Sequence, residues 1–259
     1  MNIVITGAAG GIGRELLPRL AAAGHDVSGF DIEPDPGDAA GWTTAPLSDD
    51  EALREAFRGA ELVVHLAGVP REDTWERILE ANVTGTRDVL EAARETGVRR
   101  VLLAGSVHAA GWVRREDAES AVSTVRPDTY YGVGKAAAEA LGSLYADRHG
   151  MTVVTARIMT FGVRPRTVRM LETWLSPGDL VRLTEAVATM REGGHHIVWG
   201  VSANTRRPVS LEPGRRIGYH PLDDAESFAD AVESTQDAYE RLGGPFTDPA
   251  HPVGVPWSS

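Results

Sequence analysis

Asn2-Ile3-Val4-Ile5-Thr6-Gly7-Ala8-Ala9-Gly10-Gly11-Ile12-Gly13 is a short apolar run followed at once by a glycine-rich turn and an amphipathic segment. The order predicts a buried strand, a tight turn and a helix, which is the setting a dinucleotide fingerprint requires. Glycines at 7, 10 and 13 permit the turn, the approach of backbone to a pyrophosphate, and close packing of helix on strand. The phosphates would lie over the helix N-terminus, where free N–H groups and the helix dipole favour anions. Gly7, Gly10, Gly11, Ile12 and Gly13 are therefore candidate cofactor-binding residues.

Working outward, apolar runs alternate with segments of helical period, the pattern of a doubly wound parallel sheet. Strands are predicted near Asn2 to Thr6, Asp26 to Asp31, Leu62 to Leu66, Arg100 to Ala104, Thr152 to Ile158 and His196 to Gly200. Helices are predicted near Gly11 to Ala23, Asp49 to Phe57, Thr74 to Glu95, Asp128 to Arg148, Ser176 to Met190 and Asp223 to Arg241. The expected fold is α/β, a Rossmann-type sheet over residues 1–160 with a small C-terminal substrate lobe over residues 161–259. The run 195–202 is expected to return to the main sheet, so the two parts interleave. From Pro245 onward a mobile tail is expected.

Asp31 ends the second predicted strand at about the distance from the glycines where an acid meets the adenosine ribose. Its carboxylate favours NAD over NADP, because it would repel a 2′-phosphate and neither Ile32 nor Glu33 offers a cation to hold one. Leu66, Ala67 and Gly68 close the third of these strands with mostly small residues that let the backbone approach the cofactor. Asn82 lies inside a predicted helix although Asn is a mediocre helix former, so its side chain is either bonded to backbone near the site, as a cofactor-site residue, or an exposed polar group.

The only lysine, Lys135, stands four residues after Tyr131, and every other basic residue is an arginine. At i and i+4 the two side chains share a helix face, so the ammonium is expected to lower the pKa of the phenol. A compact ammonium also suits holding two ribose hydroxyls. Tyr131 and Lys135 are thus candidates for both catalysis and cofactor binding. Ser106, at the end of the fourth predicted strand, is the third catalytic candidate. The adjacent His195 and His196 would point to opposite faces of a strand, so no shared metal site is expected.

Composition bounds the rest. With 42% hydrophobic and 24% charged residues the chain reads as a globular protein, and no apolar run approaches the roughly 20 residues of a spanning helix. A net charge of −11 disfavours nucleic acid or an anionic membrane as partner. The absence of cysteine excludes thiolate catalysis and disulfides, and with no leader segment evident a cytoplasmic location is expected.

With these residues assembled, the chain resembles the extended short-chain dehydrogenase/reductases, the NAD-dependent epimerase/dehydratase family. Thr6 to Gly13, His65-Leu66-Ala67-Gly68, Asn82, Ser106 and Tyr131-Gly132-Val133-Gly134-Lys135 carry that resemblance. Arg169-Met170-Leu171-Glu172-Thr173-Trp174-Leu175-Ser176 and Val198 to Asn204 extend it to the uronate dehydrogenases. The resemblance implies NAD-dependent oxidation of a hexuronic acid, glucuronate or galacturonate, at C1 to the aldarolactone. It further implies Tyr131 as base, substrate contacts from Ser106, Val107, His108, Thr160 and Arg169, a small-molecule sugar acid as partner, and self-association through the helices on either side of Ser106. Alternatives on the same scaffold are a nucleotide-sugar epimerase or dehydratase and an enzyme oxidising a neutral aldose. Three positions depart from the uronate dehydrogenase pattern: Val107 replaces Asn, Pro70 replaces Ser, and Pro46 replaces an acid near the adenine. The first two remove hydrogen-bonding side chains that would face the sugar, which bears on specificity more than on chemistry.

Overall fold

The computed structural model describes residues 1–35, 37, 41–232 and 239–257. Nine strands occur among them: β1 (Asn2–Thr6), β2 (Asp26–Asp31), β3 (Trp42–Thr44), β4 (Leu62–His65), β5 (Arg100–Ser106), β6 (Thr152–Ile158), β7 (Thr160–Phe161), β8 (Trp174–Leu175) and β9 (Gly194–Gly200). The α-helices are α1 (Gly13–Ala22), α2 (Asp50–Phe57), α3 (Trp75–Ile78), α4 (Gly85–Thr96), α5 (Tyr130–His149), α6 (Met170–Thr173), α7 (Pro177–Thr189) and α8 (Glu212–Arg216).

Seven strands form one all-parallel sheet in the order β3-β2-β1-β4-β5-β6-β9, and β7 pairs with β8 in a separate two-stranded ribbon. The chain winds outward from β1 through β2 to β3, then returns to β4 on the other side of β1. That reversal opens a crevice beyond the carboxyl ends of β1 and β4, where doubly wound sheets bind ligands.

Alternation along the strands divides the core between the two faces of the sheet. Ile3 and Ile5 pack with Leu16 and Leu20 of α1 and with Leu180, Leu183 and Val187 of α7. Val4 packs with Leu53 and Phe57 of α2, Val89 and Leu90 of α4, and Tyr145 of α5. Across β6 and α5, the fully buried Arg157 makes a bidentate ion pair with Glu139 (2.7 and 2.8 Å) and donates to the carbonyls of Ala121 and Thr124. No helix among the described residues is long and apolar enough to cross a membrane.

The structure corrects three expectations and adds a strand that the sequence did not announce. The predicted helix Thr74 to Glu95 is α3 and α4 joined by a π-helical turn over Leu79–Thr84. The predicted helix Asp223 to Arg241 begins instead as a 3-10 segment, Ala225–Ala231, and residues 233–238 lie outside the described residues. Strand β3 has no apolar run to announce it, being three half-exposed or exposed residues at the sheet edge. The segment after Pro245 is docked on the molecule through aromatic and backbone contacts described below.

Candidate active site

The turn after β1 carries Gly7 at φ 74°, a left-handed conformation that suits glycine. Gly13 starts α1 so close to that turn that a Cβ there would stand 2.5 Å from the carbonyl oxygen of Ala8 and 2.6 Å from that of Gly7. Asp31, at the end of β2, accepts from the backbone N–H of Ala9 (2.9 Å) and of Glu33 (3.1 Å), which fixes its carboxylate beside the turn. A Gly13→Ala substitution is expected to push α1 off the turn and weaken dinucleotide binding by about tenfold or more while the protein stays folded, checked by titration calorimetry beside a thermal melt.

Beyond β4, the backbone of Leu66 and Ala67 lies against Gly7, where a Cβ would stand 2.5 Å from the nitrogen of Ala67, and a Cβ at Gly68 would stand 2.6 Å from Oδ1 of Asn82. Asn82 is buried in the π-helical turn, and its amide accepts from the N–H of Val69 (2.7 Å) and donates to the carbonyl of Val69 (3.0 Å). This clamp sets the path of the loop after Gly68, a use of Asn that agrees with its unusual place in a helix. His65 links the two halves of the crevice, with Nδ1 2.7 Å from the Thr6 hydroxyl and Nε2 3.1 Å from that of Thr86. Because Thr86 gives its own proton to the carbonyl of Asn82 (2.7 Å), it can only accept from His65, so the imidazole carries its proton on Nε2. Burial, with the nearby Lys135, lowers the His65 pKa to about 3, which keeps the ring neutral.

The catalytic candidates gather where β5 ends and α5 begins. Ser106 closes β5, accepts from the N–H of His108 (3.2 Å) and stands near enough to the Tyr131 phenol to favour its ionised form. Lys135, one turn along α5, has its ammonium 5.6 Å from the Tyr131 ring centre and donates to the carbonyl of Ala104 on β5 (2.7 Å). The expected lowering of the phenol pKa by Lys135 is not what the free protein shows. Burial of Tyr131 raises it to about 12, against the opposing effect of Ser106, and the charge of Asp128 pushes the same way as burial. Desolvation likewise lowers Lys135 to about 8. The pair is a desolvated phenol and a desolvated amine, the amine held by strand β5.

Two groups that the sequence reading did not single out fix this corner. Glu72 is buried and accepts from the N–H groups of Tyr130 (3.2 Å), Tyr131 (2.8 Å) and Gly254 (2.7 Å), so it caps α5 together with Thr129 and ties the C-terminal segment to it. Asp128 holds Nδ1 of His108 at 2.7 Å. The His108 ring then carries a ladder of aromatic contacts, Phe246 at 4.0 Å, Trp257 on Phe246 at 3.9 Å and His251 on Trp257 at 4.3 Å. The signal available in sequence was aromatic content in a Pro-containing tail, which reads equally well as solvated chain.

Of the substrate candidates, Arg169 is partly buried, donates to the carbonyl of Leu242 (2.8 Å) and lies 5.6 Å from the Tyr239 ring centre. It lines a cavity of about 70 Å³ shared with Met159, Thr173 and Leu242. Thr160 bonds the hydroxyl of Thr173 (2.9 Å), which in turn donates to the carbonyl of Arg169 (3.0 Å), so it braces the segment that presents the guanidinium. Val107 is a correction: it is fully buried in the apolar cluster with Ala110, Val113 and Trp199, so its side chain has no surface to offer a ligand.

Residues 3–207 match the model of the NAD dependent epimerase/dehydratase family. The chain belongs to this family. Within it, the uronate dehydrogenase of Pseudomonas putida is 38% identical over 90% of this chain and 88% of its own. The L-arabinose 1-dehydrogenase (NAD(P)(+)) of Haloferax volcanii is 36% identical over 88% of this chain and 99% of its own. Among solved structures, a mutant uronate dehydrogenase from Agrobacterium tumefaciens complexed with NAD superposes with a TM-score of 0.90 at 32% identity, covering 98% of this chain and 99% of that one. The family match spans every element of the dinucleotide crevice, while the segment that stacks on His108 lies beyond it.

Proposed function

We propose that this protein oxidises a hexuronic acid of the glucuronate or galacturonate class at C1, giving the aldarolactone, with NAD as electron acceptor. The observation that carries the reading is the grouping of Ser106, Tyr131 and Lys135 at the carboxyl end of β5, facing the crevice beside the glycine turn. The residues of the crevice fit the cofactor. The turn at Gly7 to Gly13 would hold the pyrophosphate, Asp31 the adenosine ribose, Ala67 and Gly68 the backbone-lined wall, and Lys135 the nicotinamide ribose. When bound, NAD would supply the acceptor for the hydride that leaves C1 and the positive charge of its oxidised nicotinamide.

Tyr131 would take the proton of the anomeric hydroxyl as C1 loses hydride, so that the C1–O1 bond becomes the lactone carbonyl. Ser106 would hold the same oxygen and set its distance to the phenol. Lys135 keeps a cation within one helical turn, where it stabilises the phenolate once formed. Arg169 would bind the substrate carboxylate through the guanidinium N–H groups that Leu242 does not use.

Oxidation of a neutral aldose is the second reading, favoured by the arabinose dehydrogenase relative and by Pro70 in place of a hydrogen-bonding residue. Assaying NADH formation with glucuronate, galacturonate, arabinose and glucose, each with NAD and with NADP, separates the two. Arg169→Ala is expected to raise KM for a uronate by about 10- to 100-fold with a smaller change in kcat, as loss of a charge-assisted hydrogen bond would. An unchanged uronate KM would remove Arg169 from the substrate site. Equal turnover of neutral aldoses by the native protein would replace the sugar-acid reading while leaving the redox chemistry in place.

A further inference from the structure

Asp128 has a fully buried carboxylate directly before the helix that carries Tyr131. One oxygen accepts from the Thr129 hydroxyl (3.1 Å) and the other meets Nδ1 of His108 (2.7 Å). The carboxylate is seated between the backbones of Gly111 and Gly243, which are themselves joined by a 2.9 Å hydrogen bond from Gly243 to Gly111. A Cβ at either glycine would collide with it. Two strands of loop far apart in sequence therefore leave side-chain-free space for this one group. Among the described residues Nε2 of His108 has no hydrogen-bond partner, and the ring is held edge-on to Tyr131 and stacked on Phe246.

A carboxylate only accepts hydrogen bonds, so in the neutral imidazole the proton must sit on Nδ1 and the lone pair on Nε2. We propose that Asp128 is a positioning residue that fixes the ring plane and tautomer of His108, making Nε2 an acceptor for a ring hydroxyl of the sugar acid. The proposal rests on the reading that the sugar lies against Tyr131 and His108. It adds the sense of the hydrogen bond: the substrate group that meets His108 is a donor, and a sugar without that hydroxyl leaves the lone pair unpaired. Asp128 is thus a determinant of specificity that never touches substrate.

Asp128→Asn separates this role from a structural one. The amide oxygen would keep the Thr129 hydroxyl, which turns the NH2 toward Nδ1 and forces the proton onto Nε2, so the acceptor becomes a donor. Nitrogen-15 NMR of the histidine side chains, with His108 assigned from a His108→Gln variant, reads the tautomer directly. The expected result is a proton on Nδ1 in the native protein and on Nε2 in Asp128→Asn. In steady-state assays Asp128→Asn should raise the uronate KM about tenfold with a smaller change in kcat and an unaltered Kd for NAD, and should add nothing in a His108→Ala background. Removing the Asp128 charge by itself eases ionisation of Tyr131, so it cannot account for such a loss. A native Nε2–H tautomer, an unchanged uronate KM, or an effect that persists without the imidazole would overturn the proposal. Should the native protein oxidise no uronate, the functional reading falls, and the tautomer measurement still decides the role of Asp128.

Discussion

Tyr131→Phe is expected to lower kcat for uronate oxidation by about 10²- to 10⁴-fold, the usual contribution of a general base, while Kd for NAD changes little. The phenol is 8% exposed, so the substitution removes a single oxygen from an otherwise unaltered packing arrangement. The fold around it rests on Glu72 and Thr129, which bond the backbone of α5 and not the hydroxyl. A pKa of about 12 in the free protein means that little phenolate exists near neutral pH. The barrier therefore includes ionising a desolvated group, and the rate of the native enzyme should climb as the pH is raised from neutrality. Stopped-flow or steady-state NADH absorbance, beside calorimetric NAD titration, checks both parts. A variant that keeps a tenth or more of the native kcat would require another base.

Glu139→Ala should destabilise the protein by about 3–5 kcal/mol, the cost of leaving one member of a buried ion pair without its partner. Arg157 is 0% exposed and its guanidinium spends its donors on the Glu139 carboxylate and on the carbonyls of Ala121 and Thr124, so a lost carboxylate leaves a buried cation with no counter-charge. The pair joins α5 to β6, hence the loss reaches the helix that bears Tyr131 and Lys135. Replacing both partners by apolar residues of similar volume should cost less than either single change, since no charge is then stranded. Chemical denaturation of the single and double variants measures the difference. Equal destabilisation of all three would mean that packing against Trp199, 5.7 Å from the guanidinium, matters more than charge.

The inner strands were legible because each is a run of apolar residues with an exposed turn after it. Predicted and observed bounds coincide for β1, β2 and β6, and the parallel sense of the sheet follows from the alternation of strand and helix. The crevice was legible for the same reason, since glycines between a strand and a helix, and an acid at the end of the next strand, have few other uses. What escaped was of a different kind. The π-helical turn at Leu79–Thr84 inserts one residue into a periodic pattern that continues on both sides, so nothing in the period betrays it. Val107 looked like a lost sugar contact because it stands where the uronate dehydrogenases carry Asn, yet its side chain is packed in the core. Glu72 and Asp128 are single acids in a chain rich in acids, and only the three-dimensional meeting with α5 and His108 distinguishes them. The phenol pKa went the other way because burial depends on the whole shell around a group, whereas an i, i+4 spacing reports one neighbour.

The aromatic ladder on His108 is built from Phe246, His251 and Trp257, more than a hundred positions after the histidine it covers. A ribosome delivers the chain from its amino end, so the glycine turn, β5 and α5 are all available to fold before this stretch has been made. The nascent protein would thus be able to form its dinucleotide crevice before the aromatic cover over His108 has been synthesised.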